Sequence, residues 1–317
     1  MDLELLQERA NIIKKIRSFF YERGYLELDT PLLSPDLIPE SCLEVFETNR
    51  ILPNGLLKPF WLIPSPEIWM KKIIARHKVN VFQICKCFRN GESSGFLHSP
   101  EFTMLEYYTM NANYMDSLKL TEELMKSLTQ RRGGAESSFG KLTVAEAFQR
   151  YAGFDLFKAA EEGRLEAEAQ SLGLDPLPGL GTAALYDLIF IHTIEPHLQY
   201  NQPVALLDYP AFVPCLAKHS ADGKTVERWE LYYNGIELAN CFTEETDSQR
   251  VKAFFESETA QKDRNALVKH LVDHDYWKLF SNGNFPPCSG VALGLDRLIM
   301  ALCGRSTIDG VLPFPME

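Results

Sequence analysis

The chain has 317 residues, 45% of them hydrophobic and 24% charged, with a formal net charge of −11. That composition suits a globular protein able to bury one large core or two ordinary ones, and no apolar run is long enough to span a bilayer. The acidic balance argues against a general nucleic-acid binder, which needs basic surface to displace counterions.

The first stretch, "MDLELLQERANIIKKIRSFF", lacks a signal peptide's apolar region and cleavage site. The cytoplasm is therefore the expected compartment, with no membrane partner. Residues 3–23 show helical periodicity (Leu5, Leu6, Ile12, Ile13, Ile16, Phe19, Phe20), Gly24 stops the helix, and "YLELDTPLL" alternates like a strand. "SPEIWMKKIIARH" opens with Ser65 as an N-cap and Pro66 in the first turn, which predicts a helix start. "NVFQICKCFR" and "EFTMLEYYTM" predict two strands of a hairpin around a Gly/Ser-rich loop. The seven cysteines are scattered, and Cys85 and Cys87 have no further ligands at zinc-site spacing, so they read as reduced thiols.

Residues 112–200 read as mostly helical, with "RRGGAESSFG" and "GLDPLPGLG" as breakers. Strands return at "PVALLDYP" and "RWELYYNGIELANCF", and a polar helix is expected over 247–272. The end, "CSGVALGLDRLIMALCG", predicts a strand, a glycine and a short apolar helix. Helices with hairpin-linked strands imply an α+β fold built on an antiparallel β-sheet flanked by helices, with the block at about 112–200 inserted in it.

Three groups of residues carry chemistry. Phe102, Met104, Glu106 and Tyr108 share one strand face. The carboxylate there either needs a cation or belongs to a half-solvated sheet, and the strand alone leaves both open. Glu237 and Glu244 are seven apart near a strand end, where two carboxylates can share a magnesium ion with phosphates. Seven is odd, so a bend or bulge must bring them to one face, and "NCFTEE" is the expected place. In "GVALGLDRL", Gly294 turns a strand into a helix and Arg297 lies one turn in. That arginine either reaches a triphosphate or pairs with a nearby acid.

Taken in order, these stretches resemble the signature motifs of class II aminoacyl-tRNA synthetases. "RGYLELDTPLLSP" resembles the first, a helix–strand unit at a two-fold interface, "FRNGESSGFLHSPEF" the second and "GVALGLDRL" the third. "SPEIWMKK" and "GIELANCFTEETD" resemble the lysine-specific branch. The first motif begins too early to leave room for the oligonucleotide-binding barrel that precedes a lysyl-tRNA synthetase catalytic domain. The chain therefore resembles the elongation factor P–(R)-β-lysine ligase family.

The resemblance implies a single class II synthetase-like catalytic domain over 1–317, and a homodimer without stable tRNA binding. It implies an ATP-dependent ligase that makes a lysyl- or β-lysyl-adenylate and transfers it to a lysine side chain of elongation factor P. A lysine-adenylating enzyme with another acceptor, such as tRNA, and an inactive amino-acid sensor are the alternatives. The implied co-substrate is ATP, with Mg²⁺. Arg89 and Arg297 are implied as catalytic. Arg89, Asn90, Glu92, His98, Ser99, Phe102, Glu237, Leu238, Gly294 and Arg297 are implied at ATP. Ser65, Pro66, Glu67, Glu106, Tyr108, Asn240 and Glu244 are implied at the amino acid, and Glu237 and Glu244 at the metal. Gly91 stands where the family usually has the glutamate of Arg-Asn-Glu, so Glu92 is expected to fill that role one place later. Loop 91–97 is expected to close over ATP as a lid. Ala292 stands where lysyl-tRNA synthetases usually carry glycine, so its methyl group is expected to narrow the pocket floor.

Overall fold

The computed structural model describes residues 2–91, 95–129, 138–198, 200 and 202–314. Helix α1 (Leu3–Tyr21) starts at Asp2, whose carboxylate accepts from the Glu4 and Leu5 amides, and buries Ile12, Ile16 and Phe20. The expected strand after Gly24 is broken into β1 (Leu26–Glu27) and β2 (Leu33–Ser34). Pro31 and Pro35 lack the N–H a ladder needs, so the chain leaves one sheet and enters another. β2, β3 (Glu47–Ile51) and β4 (Leu57–Leu62) form a small sheet in the order β2-β4-β3. Helix α2 (Glu67–His77) follows, with Pro66 at the N-cap in place of the expected Ser65, whose Oγ accepts the Glu67 amide at 3.0 Å.

β5 (Val81–Phe88) and β6 (Glu101–Met110) pair antiparallel as the predicted hairpin. Then come α3 (Tyr114–Thr129), β7 (Gly140–Thr143), α4 (Val144–Tyr151), α5 (Leu156–Glu161), α6 (Leu165–Ser171) and α7 (Thr182–Ile189). The chain returns through β8 (Val204–Pro210), β9 (Thr225–Tyr233), β10 (Ile236–Thr243), α8 (Ser248–Asn265), β11 (Cys288–Gly294) and α9 (Leu295–Leu302). The polar helix stops at Asn265, short of the expected 272. Beyond it the Leu267 and Val268 amides donate to Glu44, and Trp61 Nε1 donates to the Lys269 carbonyl, so tertiary contacts override helical continuation.

Eight strands make the main sheet in the order β1-β5-β6-β11-β10-β9-β8-β7. Its centre is antiparallel as expected, and only the edge pairs β1–β5 and β7–β8 are parallel. α1, α3 and α9 cover one face with a core including Phe20, Tyr107, Leu293 and Ile299, and the helical block forms a second core on β8 and β9. Among the described residues no helix is long and apolar enough to cross a membrane.

Candidate active site

The other face of the sheet centre carries the polar side chains. Strand register aligns Gln83, Glu106, Ala292, Asn240 and Glu230 in one row across β5, β6, β11, β10 and β9. Glu237 and Glu244 would fall on opposite faces of an unbroken strand. The predicted irregularity exists, but its place is corrected: the register shifts between Glu237 and Ala239, before "NCFTEE". Leu238 is the extra residue, and it returns Glu237 to the face of Asn240.

Two adjoining cavities lie over this face, both in the size range of small-molecule sites. The first, about 420 Å³, is lined by Arg89, His98, Ser99, Phe102, Glu237, Leu238, Gly294 and Arg297. The residues expected at ATP therefore converge, except that Asn90 does not line this cavity and Glu92 lies outside the described residues, as does part of the expected lid. Asn90 is turned to the loop before β3, its Nδ2 donating to the Val45 carbonyl at 3.3 Å.

Arg297 is held in place from three sides. It donates to the Leu97 carbonyl at 3.2 Å, the Glu237 carbonyl at 3.0 Å and His98 Nε2 at 2.6 Å. Arginine can only donate, so His98 Nε2 is the acceptor in that contact. The helix carrying Arg297 is anchored by Asp296, which accepts from Arg9 at 2.6 Å and from the Thr103 amide at 2.6 Å. One carboxylate thus ties α1, β6 and α9 together. The Arg89 guanidinium lies 5.3 Å from the centroid of the Phe102 ring.

The second cavity, about 560 Å³, is lined by Ser65, Glu67, Glu106, Tyr108, Asn240 and Glu244 among others, while Pro66 stays outside its lining. Its carboxylates are connected. Ser65 Oγ donates to Glu106 Oε2 at 2.6 Å, and the Tyr108 hydroxyl donates to Glu106 Oε1 at 2.7 Å. Lys71, one helical turn after Glu67, meets Glu67 at 2.5 Å and Glu244 at 2.6 Å with its side chain wholly buried. Burial opposes the Lys71 charge, but Glu244 and Glu67 outweigh it and raise its pKa well above the ordinary lysine value. Burial, and then the charge of Glu67, pushes Glu106 up to about 7. Burial pushes Glu244 up to about 8 against the pull of Lys71.

Gly290 is required by this packing. A Cβ there would lie 2.5 Å from the Tyr108 ring and 2.8 Å from Glu244 Oε1.

Glu237 and Glu244 face different cavities, so the sheet does not present them as a ready-made metal pair. Among the described residues no three His, Cys, Asp or Glu side chains cluster to hold a metal ion. Glu237 nevertheless suits a cation that also binds phosphate. Its side chain is 40% exposed in the first cavity, and its carboxyl is pushed up by surrounding protein and then by Glu230. Among the described residues Glu244 Oε1 is buried without a hydrogen-bond partner.

Three site features escaped the sequence reading. Lys71 was detectable, since Glu67 and Lys71 at i and i+4 share a helix face. Arg228, which lines both cavities and donates to Asn240 Oδ1 at 3.1 Å and Glu230 at 2.6 Å, sits in a strand that reads as ordinary core. Glu40, which also lines both cavities, lies in an irregular loop with no periodicity to place it.

A family model for class II tRNA synthetases (D, K and N) matches residues 3–317. Among similar proteins, the elongation factor P--(R)-beta-lysine ligase of Avibacterium paragallinarum is 38% identical over 317 residues, covering 99% of this chain and 96% of that protein. The protein of the same name from Pasteurella multocida (strain Pm70) is 36% identical over 317 residues, with 99% and 96% covered. That of Haemophilus influenzae (strain PittGG) is 35% identical over 318 residues, with 100% and 96% covered.

Proposed function

The chain belongs to the class II tRNA synthetases of the D, K and N type and, among them, to the elongation factor P–(R)-β-lysine ligases, and from that premise we propose its reaction. It activates (R)-β-lysine, or lysine, with ATP as an aminoacyl-adenylate and joins it to a lysine side chain of elongation factor P. The relatives' names support that acceptor. One catalytic domain over 1–317, with the helical block at about 112–200 inserted in it, performs both steps.

The observation that carries the amino-acid assignment is the charge of the second cavity. Glu67, Glu106 and Glu244 form one connected set, and Lys71 neutralises a single charge of it. With all three carboxylates ionised, two negative charges of that set remain for two ammonium groups. A site built for an aspartate side chain would need the opposite sign.

Adenylate formation brings the amino acid's carboxylate to the α-phosphate, so positive charge must meet the developing pentavalent phosphorus. Arg89, which lines both cavities, is the residue for that task, and no base is needed because the carboxylate is already ionised. Phe102 and Arg297 bracket the adenine, and His98 and Ser99 serve the outer phosphates. Glu237 and the free Oε1 of Glu244 are the atoms available to Mg²⁺, which when bound neutralises the pyrophosphate leaving group. Ser65, Tyr108 and Asn240 orient the amino acid.

A homodimer completes the reading. Leu26, Leu32 and Leu33 on the first-motif segment are exposed apolar side chains suited to a two-fold interface, which light scattering checks. Lysine-dependent pyrophosphate exchange tests the activation step. Arg89→Ala removes a charge-assisted contact to the transition state and lowers exchange by ~10²–10³, or ~2.7–4 kcal/mol. Exchange unchanged in the variant would leave Arg89 with a structural part only.

A further inference from the structure

The residues assigned above account for making the adenylate and leave the second half-reaction short of a base. A lysine side chain enters as an ammonium group, which has no lone pair to attack with. The adenylate's nucleotide half and lysyl half occupy different cavities, so its reactive carbonyl lies where they join. Among the described residues, four titratable side chains line both cavities there: Glu40, Cys42, Arg89 and Arg228. The two arginines stay protonated at any working pH. Although Cys42 is exposed, the protein packed around its thiol, and then the charge of Glu40, push it up to about 11, so it holds its proton too. Of these four, Glu40 alone remains.

We infer that Glu40 is the proton acceptor of the transfer step, taking a proton from the acceptor's ammonium group at the junction of the two cavities. This rests on the reading of the protein as an amino-acid ligase. The neutral amine then attacks the acyl carbon and a nitrogen–carbon bond forms. The carbon–oxygen bond to AMP breaks, with its electron pair staying on the phosphate oxygen. The nitrogen's second proton passes to that oxygen, and Glu40 returns its proton to solvent through the cavity.

The loop is built to hold Glu40 there. The Glu40 carbonyl accepts from Lys262 Nζ at 3.0 Å, and the Ser41 amide donates to Glu258 Oε2 at 2.8 Å, so α8 ties down the backbone beneath the carboxylate. The charged groups around it are Glu67 on α2, Arg89 after β5, and Glu258 and Lys262 on α8, with Cys42 two residues on. Burial, then Glu67, pushes the Glu40 carboxyl up to about 7 while Arg89 and Lys262 pull it down. A base works best with a pKa near the working pH. Ala184, Val213 and Phe254 also line the second cavity and give apolar surface for the methylene stem of the entering side chain.

The experiment separates the half-reactions in the full-length protein and its Glu40→Gln variant. Pyrophosphate exchange reports the adenylate, and single-turnover transfer to purified elongation factor P reports amide formation. Hydroxylamine, a nucleophile largely unprotonated at neutral pH, captures the same adenylate without needing a base. In the variant we expect transfer to fall by roughly 10² or more. We expect exchange and hydroxylamine capture to stay close to wild type, and Glu40→Asp to regain part of the transfer rate. Wild-type transfer should also rise with pH through about 7, and the Gln variant should lose that rise. Transfer that is unaffected, or that falls in step with exchange and hydroxylamine capture, overturns the inference. Absence of exchange with either (R)-β-lysine or lysine in the wild type overturns the ligase reading itself, and is recognisable because no variant is involved.

Discussion

Replacing Lys71 with methionine removes the cation held between Glu67 and Glu244 while keeping much of the stem's volume. The Lys71 side chain is fully buried, and that of Glu244, 2.6 Å away, is 1% exposed. Removing one partner of such a pair typically costs ~3–5 kcal/mol, because the remaining charge is left without compensation. Unfolding entropy near the melting temperature is ~2.1 cal/mol/K per residue, or roughly 0.67 kcal/mol/K for this chain. Tm should therefore fall by about 4–8 °C. The loss should also depend on pH. In the wild type the raised pKa of Lys71 keeps the lysine's own contribution complete below its unfolded value of 10.5. In the variant Glu244, already raised to about 8 by burial, loses the neighbour that lowers it. A carboxyl with a raised folded pKa costs stability progressively as pH climbs above its unfolded value. The deficit should thus be smaller near pH 6 than near pH 8.5, read by thermal melts of both proteins. An unchanged Tm, or an equal deficit at both pH values, would refute the picture of a charge-compensated pocket.

Three further outcomes follow from the same pocket. Gly290→Ala puts a methyl group against Tyr108 and Glu244, and overpacking of this kind costs ~1–3 kcal/mol, so KM for lysine should rise and Tm should fall. A silent substitution would mean the tight approach is relieved easily. Ala292→Gly should change the ratio of kcat/KM for β-lysine and α-lysine by a graded amount worth ~1–3 kcal/mol, since Ala292 lines both cavities. An identical ratio would make its methyl group simple packing. Lysine affinity should fall as pH drops below about 7, where Glu106 takes up a proton that the incoming ammonium must displace. Calorimetry in two buffers should register proton release on binding at neutral pH, and a Kd constant from pH 6 to 8 would contradict this.

Much of the site was legible because its residues sit on regular elements. The period-two spacing of Phe102, Met104, Glu106 and Tyr108 fixed one face of β6, and the odd spacing of Glu237 and Glu244 demanded an irregularity. Its position was not legible. Leu238 and Ala239 are both core residues, and the bulge follows from cross-strand register, which spacing along one strand does not encode. The same holds for "YLELDTPLL", whose alternation suggests one strand although its prolines divide it between two sheets. Glu40 was invisible for another reason. An irregular loop has no period, and only its tethering to α8 brings Glu40 to the site.

The central claim is that this protein joins lysine or β-lysine to elongation factor P through an adenylate. Incubating purified elongation factor P with the protein, ATP, Mg²⁺ and (R)-β-lysine, followed by intact-mass and peptide spectrometry, tests it most directly. The account predicts a mass gain of one lysyl residue on a single lysine side chain, with AMP and pyrophosphate released in equal amount and no gain without ATP. Elongation factor P recovered unmodified, while the same protein shows robust lysine-dependent pyrophosphate exchange, would contradict the acceptor and leave a lysine-adenylating enzyme with a different target.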